Sequence, residues 1–275
     1  GFRGPVNLSV LLKGDLGGSI SPTVLINFLD NQISYPPLGR LQPSVKGIVN
    51  LTDQKIFIDN LEVNTKGVSL VLYGDIHNYG TWPPDAQVRV VSSKINFSEL
   101  FPDREIFDDE DLGPFDLMGF MAGGPINLGN VSFMGIPIQK LKGVYQIRDN
   151  IFSIRDLTGT IGDGNFRLSL ICNLGVKGLD YHTHLRLKHA PVAIISNMFY
   201  PGLSRFLEGN LSGNFAVKGD GTTLFRFKEN LKADGVFSIR DGLIHNLSFP
   251  PPVSSIIKTS ELSQIPLQAA NINLS

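Results

Sequence analysis

The chain has 275 residues, with 24 basic and 25 acidic side chains spread along it and a formal net charge of −1. That balance excludes the clustered basic footprint that nucleic-acid binding needs. Charged residues are only 18% and mean hydropathy is +0.07, yet no window of about 18 residues is free of polar interruption, so no segment reads as a helix crossing a bilayer.

In chain order, the first strongly patterned element is GIVNLTD at 47–53. It returns as GVYQIRD at 143–149 and as GVFSIRD at 235–241, so the starts lie 96 and 92 residues apart. Each copy opens with Gly, alternates like a strand, and stops at Asp followed by Gln54, Asn150 or Gly242. Asp-Asn and Asp-Gly tolerate positive φ and suit a two-residue hairpin turn, and a second strand follows in each copy. With the turn at Asp53-Gln54, Leu51 faces Ile56 and Val49 faces Ile58. The same register sets Ile147 against Phe152 and Tyr145 against Ile154. In the third copy it sets Ile239 against Ile244 and Phe237 against Asn246. Directly opposed residues share a sheet face, so each predicted hairpin has one apolar face, with Asn246 the one polar intruder. The other face carries Asn50, Thr52 and Lys55, then Gln146 and Arg148, then Ser238 and Arg240. A slip of one residue would scramble this pattern.

The first two copies continue alike. NLEVNTKGVSLVLYGDI at 60–76 corresponds to DLTGTIGDGNFRLSLICNL at 156–174, and VRVVSSKINFSELFP at 88–102 to LRLKHAPVAIISNMFYP at 185–201. Strand alternation dominates, and the predicted helical stretches are short: 98–107, 192–200 and 253–262. The reading is an all-β chain, residues 1–275 forming one continuous sheet segment with repeats starting near 47, 143 and 235. The beginning on Gly1 and the strand-like NINLS at the end suggest a piece of a longer protein. So few helices cannot cover such a sheet. Either it closes on itself, or its apolar face serves another purpose.

Chemistry-bearing motifs are scarce. Cys172 is alone, in an apolar strand, and reads as a buried thiol. His182 and His184 share a strand face, but no third ligand is evident for a metal. The run Asp108, Asp109, Glu110, Asp111 reads as a solvated loop and lacks calcium-loop spacing. The glycine-rich stretch 159–164 joins two strands, whereas a phosphate loop must open a helix. Hydrolase, zincin and P-loop signatures are missing. The expectation is a non-enzyme without cofactor or metal.

The last third reads LEGNLSGNFAVKGDGTTLFRFKENLKADGVFSIRDGLIHNLSF at 207–249. It resembles the C-terminal region of the AsmA family of bacterial envelope proteins. GPVNLSVLLKGDLGG at 4–18 and the glycine-bounded strands of 45–76 are similar to that family too. The likeness is a pattern of Gly, Asp and alternating apolar residues over nearly the whole chain, with no catalytic motif. The resemblance implies a periplasmic body attached to the inner membrane through a segment outside this chain. It also implies membership of the repeating-β-groove proteins, with TamB and the bridge-like lipid transfer proteins. There a curved, open antiparallel sheet, an elongated groove or incomplete barrel, carries phospholipid between inner and outer membranes. On that reading the partners are phospholipid acyl chains and the membrane. The lining would be Val49, Leu51, Ile56, Ile58, Tyr145, Ile147, Phe152, Ile154, Phe237, Ile239 and Ile244.

Three other readings stay open at this stage. These residues are the plain core of a closed barrel or sandwich; the sheet edges act as a scaffold for outer-membrane proteins by strand addition; or the chain is a β-rich binding module, for which Trp82 is the one tryptophan.

Overall fold

Asp53 and Gln54 close the first hairpin as expected: the amide of Thr52 donates to the carbonyl of Lys55 at 2.9 Å, and Leu51 pairs with Ile56 and Val49 with Ile58. The second closes at Asp149 and Asn150, whose φ values of 52° and 59° suit a tight turn with both central residues left-handed. Ile147 then pairs with Phe152 and Tyr145 with Ile154.

The computed structural model describes residues 2–14, 20–34, 42–96, 99, 111–133, 135–199, 205–245 and 264–274. Their strands are β1 (Phe2–Arg3), β2 (Val6–Gly14), β3 (Ile20–Ile33), β4 (Ser44–Leu51), β5 (Lys55–Thr65), β6 (Val68–His77), β7 (Asp85–Asn96) and β8 (Met121–Phe133). They continue as β9 (Ile136–Arg148), β10 (Ile151–Ile161), β11 (Gly164–Asn173), β12 (Asp180–Pro191), β13 (Leu207–Gly219), β14 (Lys232–His245) and β15 (Gln264–Leu274). Two helices are described, α1 (Val192–Phe199) and α2 (Leu224–Asn230). The first was expected and the second was not. The expected helix at 253–262 lies outside the described residues, as does 98–107 apart from Glu99.

All fifteen strands join one sheet in near-sequential order, and no ladder joins β15 back to β1 or β2, so it is not a closed barrel. Neighbours are antiparallel except β7 and β8, which run parallel from Asp85 beside Met121 to Asn96 beside Ser132. Strands of 10–14 residues span about 33–46 Å, and fourteen side by side extend roughly 60 Å. We call the strand ends at Asp53-Gln54 and Asp149-Asn150 the near rim, and those at Gly67 and Gly162 the far rim.

The third expected hairpin does not form. β14 runs unbroken through Asp241. Asp241 has φ 52°, as in a turn, but the surplus is absorbed as a bulge, with Arg240 paired to Asn210 and Leu243 to Glu208. Phe237 lies opposite Gly213 and Ile272, Ile239 opposite Leu211 and Ala270, and Ile244 opposite Leu207 and Ile265. Asn246 falls outside the described residues. An Asp-Gly pair serves a turn or a bulge equally, and two long neighbours favour the continuous ladder. Similar bulges sit at Asp30, Asp156 and His189, with φ values of 72°, 52° and 55°, beside register shifts in β3, β10 and β12. A bulge bends its strand and increases the local twist, so a sheet studded with them curls.

Candidate functional site: an apolar trough

Register alone assembles the site. Directly paired residues form a row across the sheet, from Val10 and Val24 through Leu51, Ile56, Ile76, Ala86, Ala122, Ile147, Phe152 and Cys172 to Tyr181. Because opposed residues share a face, this is an apolar stripe running from β2 to β12. The neighbouring row holds Leu8, Ile26, Val49, Ile58, Gly74 and Val88, then Gly124, Tyr145, Ile154 and Leu170. The hairpins of the first two repeats therefore lie on one continuous surface.

That surface is concave. Phe133 ends β8 at the far rim, and Phe227 sits in α2, which joins β13 to β14 at the near rim. Their rings nevertheless meet edge-on with centroids 6.0 Å apart. In a flat sheet, five strand spacings and a full strand length would separate them by roughly 40 Å. Phe227 also stacks on Tyr181, 5.5 Å between centroids, and Tyr181 belongs to the apolar row. The sheet thus curls with its apolar face inward, far enough to bring the far end of β8 against α2.

A buried carboxylate anchors that bridge. Asp111 was expected in a solvated acidic run; instead it is 8% exposed. One of its oxygens accepts from the amide and hydroxyl of Thr222 at 2.8 and 3.2 Å, and the other accepts from Arg226 at 2.6 Å. The other three acidic residues of the run lie outside the described residues. Thr223 caps α2 by accepting from the Arg226 amide at 3.2 Å. From Asp111 the chain follows the near rim, where Gly178 donates to Leu112, Phe115 to Leu174 and Leu117 to the Asn150 side chain, at 2.8–2.9 Å. This strap joins the β9–β10 and β11–β12 turns to the base of α2.

Packing divides the trough. One buried cluster runs from Val68 and Ile95 through Leu128, Leu141 and Phe166 to Leu211, with Val192, Ile194 and Ile195 of α1 laid on it. Phe237 and Ile239 pack here. A second cluster gathers Ala86, Val88, Ala122 and Tyr145, with Ile58, Ile147 and Phe152 half-buried against it, and Ile154 joins both. Val49 is buried outside both clusters, and Leu51 and Ile56 are half-buried. Only the backbone position of Ile244 is described. Toward β2 the face opens fully: Val6, Leu8, Val10 and Leu12 are exposed, Leu8 by 62%. Of the candidate residues, the structure therefore brings seven into packed clusters and leaves Leu51 and Ile56 half-buried outside both.

Burial sets the ionisation of the polar atoms here. Cys172 is buried, and desolvation followed by nearby Asp180 pushes its thiol up to about 11. Desolvation raises the Tyr145 phenol, and desolvation with Asp220 raises that of Tyr181. On the opposite, polar face, Ser169, His184 and Asp234 border one shallow depression with Arg167 and Arg186. Ser169 faces His184 directly, but a strand carrying Ala216 separates His184 from Asp234, so they are not linked as nucleophile, base and orienting acid. Among the described residues no three His, Cys, Asp or Glu gather as metal ligands, and no helix is long and apolar enough to cross a membrane.

Sequence reasoning missed Asp111, Tyr181 and Phe227. For α2 a local signal exists, Thr223 as an N-cap before an apolar-basic run, but its seven residues carry little periodicity. No protein-family model, no curated protein and no solved structure matches this chain.

Proposed function

We propose that this chain is an AsmA-like segment of the bacterial envelope whose apolar trough holds phospholipid acyl chains and passes them between inner and outer membranes in the periplasm. One observation carries the reading: the unbroken apolar row from Val10 to Tyr181 lies on the inside of a curled sheet that stays open at both ends. A chain laying about ten methylenes on such a lining gains roughly 8 kcal/mol before the costs of ordering it. The lining between Leu51 and Phe152 is aliphatic or aromatic with few hydrogen-bonding groups, so one bound position differs little from the next and chains slide. No step of this function needs a catalytic group.

The test is the lipid content of the purified chain. Organic extraction followed by mass spectrometry is expected to return phospholipid in near-stoichiometric amount. A lipid-free protein that also takes up no fluorescent phospholipid from vesicles would end the reading.

A second reading has its own observation. β2 is an edge strand with Leu8, Leu11 and Leu12 exposed, which suits strand addition by outer-membrane protein segments. Photocrosslinks from Leu11, on the polar side of the sheet, to client strands with none to lipid would favour a scaffold over a conduit.

A further inference from the structure

The trough floor contains a polar atom that the fold does not use. Tyr145 on β9 is 8% exposed, and among the described residues its hydroxyl has no hydrogen-bond partner. Tyr181, in the next row, donates to the carbonyl of Asp220 at 3.3 Å. An unpaired buried phenol is costly, and phenylalanine would fill the same volume without that cost.

The surroundings narrow what could pair with it. The buried members of its cluster are Ala86, Val88 and Ala122, and its same-face neighbours in the ladders, Gly124 and Ile154 across from it and Gly143 and Ile147 along β9, carry no charge. Gly124, directly opposite Tyr145, presents no side chain. A partner must therefore bring an acceptor oxygen into an alkyl environment. A phosphate or free carboxylate would arrive there without a counter-cation, which a low-dielectric wall penalises heavily. A neutral carbonyl attached to hydrocarbon meets no such penalty. The raised phenol keeps its proton at neutral pH and so remains a donor.

We propose that the Tyr145 hydroxyl is the polar contact of an acyl-lipid site in the trough, donating a hydrogen bond to the ester carbonyl of a glycerolipid whose chains lie along Ala122, Ile147 and Phe152. This inference rests on the trough reading and adds to it a substrate class: ester-linked lipid over ether-linked lipid or plain hydrocarbon. The hydroxyl positions the lipid and takes part in no bond-making step.

The experiment compares the native chain with Tyr145→Phe, each titrated with an ester-linked phosphatidylcholine and with its ether-linked analogue of the same chains and headgroup. The native chain is expected to bind the ester form about tenfold tighter, the worth of one buried hydrogen bond. Tyr145→Phe is expected to bind both forms equally, at the native affinity for the ether. Urea denaturation of the lipid-free proteins adds an independent readout: Tyr145→Phe should be at least as stable as the native chain. Equal binding of ester and ether by the native chain overturns the inference and leaves the trough reading standing. So does an undiminished preference in Tyr145→Phe, or a clear loss of its lipid-free stability, which would reveal an internal partner for the hydroxyl. If neither protein binds either lipid, the trough reading itself falls and this inference with it.

Discussion

The rings of Phe133 and Phe227 meet edge-on at 6.0 Å between centroids, although one ends a strand at the far rim and the other lies on a helix that starts from the near rim. This contact ties the two lips of the trough together. Edge-to-face pairs contribute about 0.5–1.5 kcal/mol beyond the area they bury. A double-mutant cycle with Phe133→Ala and Phe227→Ala, read by urea denaturation, is expected to return a coupling of that size. Strictly additive effects would mean that the lips do not touch in solution.

Asp111 holds the base of the same bridge. Asp111→Ala leaves the Thr222 amide without its acceptor in a buried position and removes the partner of Arg226. A cost of about 2–3 kcal/mol is expected, most of it from the unsatisfied amide because Arg226 is itself largely solvated. Hydrogen exchange should quicken in 222–231 while β4–β6 stay protected. Uniform quickening across the chain would show that the clamp is global and not local.

Three sequence elements that looked alike separate here into two hairpins and one bulge. Leu51 against Ile56 and Ile147 against Phe152 were legible because a two-residue turn fixes every pair behind it. Asp241 carries the same local signal, but its fate depends on whether neighbouring strands extend past it, which no window of seven residues contains. Asp111 was hidden for a related reason, since its partners Thr222 and Arg226 lie more than a hundred residues away in sequence.

Charge placed on the trough face should act differently from charge placed behind it. Ile147 belongs to the apolar row, whereas its neighbour Gln146 is exposed on the other face. Ile147→Lys is expected to lower bound phospholipid about tenfold or more, since desolvating an ammonium costs several kcal/mol. Gln146→Lys should leave lipid content unchanged. Equal effects from both substitutions would separate lipid binding from the trough face.

Two glycines at the centre of the sheet allow no side chain. Gly74 and Gly124 have φ of 153° and 156°, and a Cβ on either would lie 2.0 Å from a neighbouring carbonyl oxygen, that of Gln87 or Val88. Gly124→Ala therefore combines an unfavourable backbone conformation with a clash against main chain, and a loss of about 2–4 kcal/mol is expected. Gly80→Ala, which meets nothing within 4 Å, is the matched control and should change the urea midpoint little.

Alkaline pH tests the burial of Cys172. Burial raises its folded-state value from the ordinary thiol value of 9.0 to about 11, so the fold binds this proton more tightly than the unfolded chain does. The stabilisation is complete below about pH 9 and is lost as pH rises through 11. Cys172→Ser titrates no thiol, so its stability should fall less steeply between those values. Alkylation by iodoacetamide at pH 8 should require prior unfolding; rapid labelling of the native chain would place the thiol at the surface.

The amino-acid sequence by itself determined the strand content, the register of two hairpins and the existence of an apolar face, because alternation and turn chemistry act over a few residues. Only the tertiary structure decided that this face is concave, that α1 packs on it, that α2 meets the far end of β8, and that Asp111 is buried. Those features depend on bulges accumulating over many strands and on contacts such as Phe133 with Phe227, where two chain positions meet only after the whole sheet has curled.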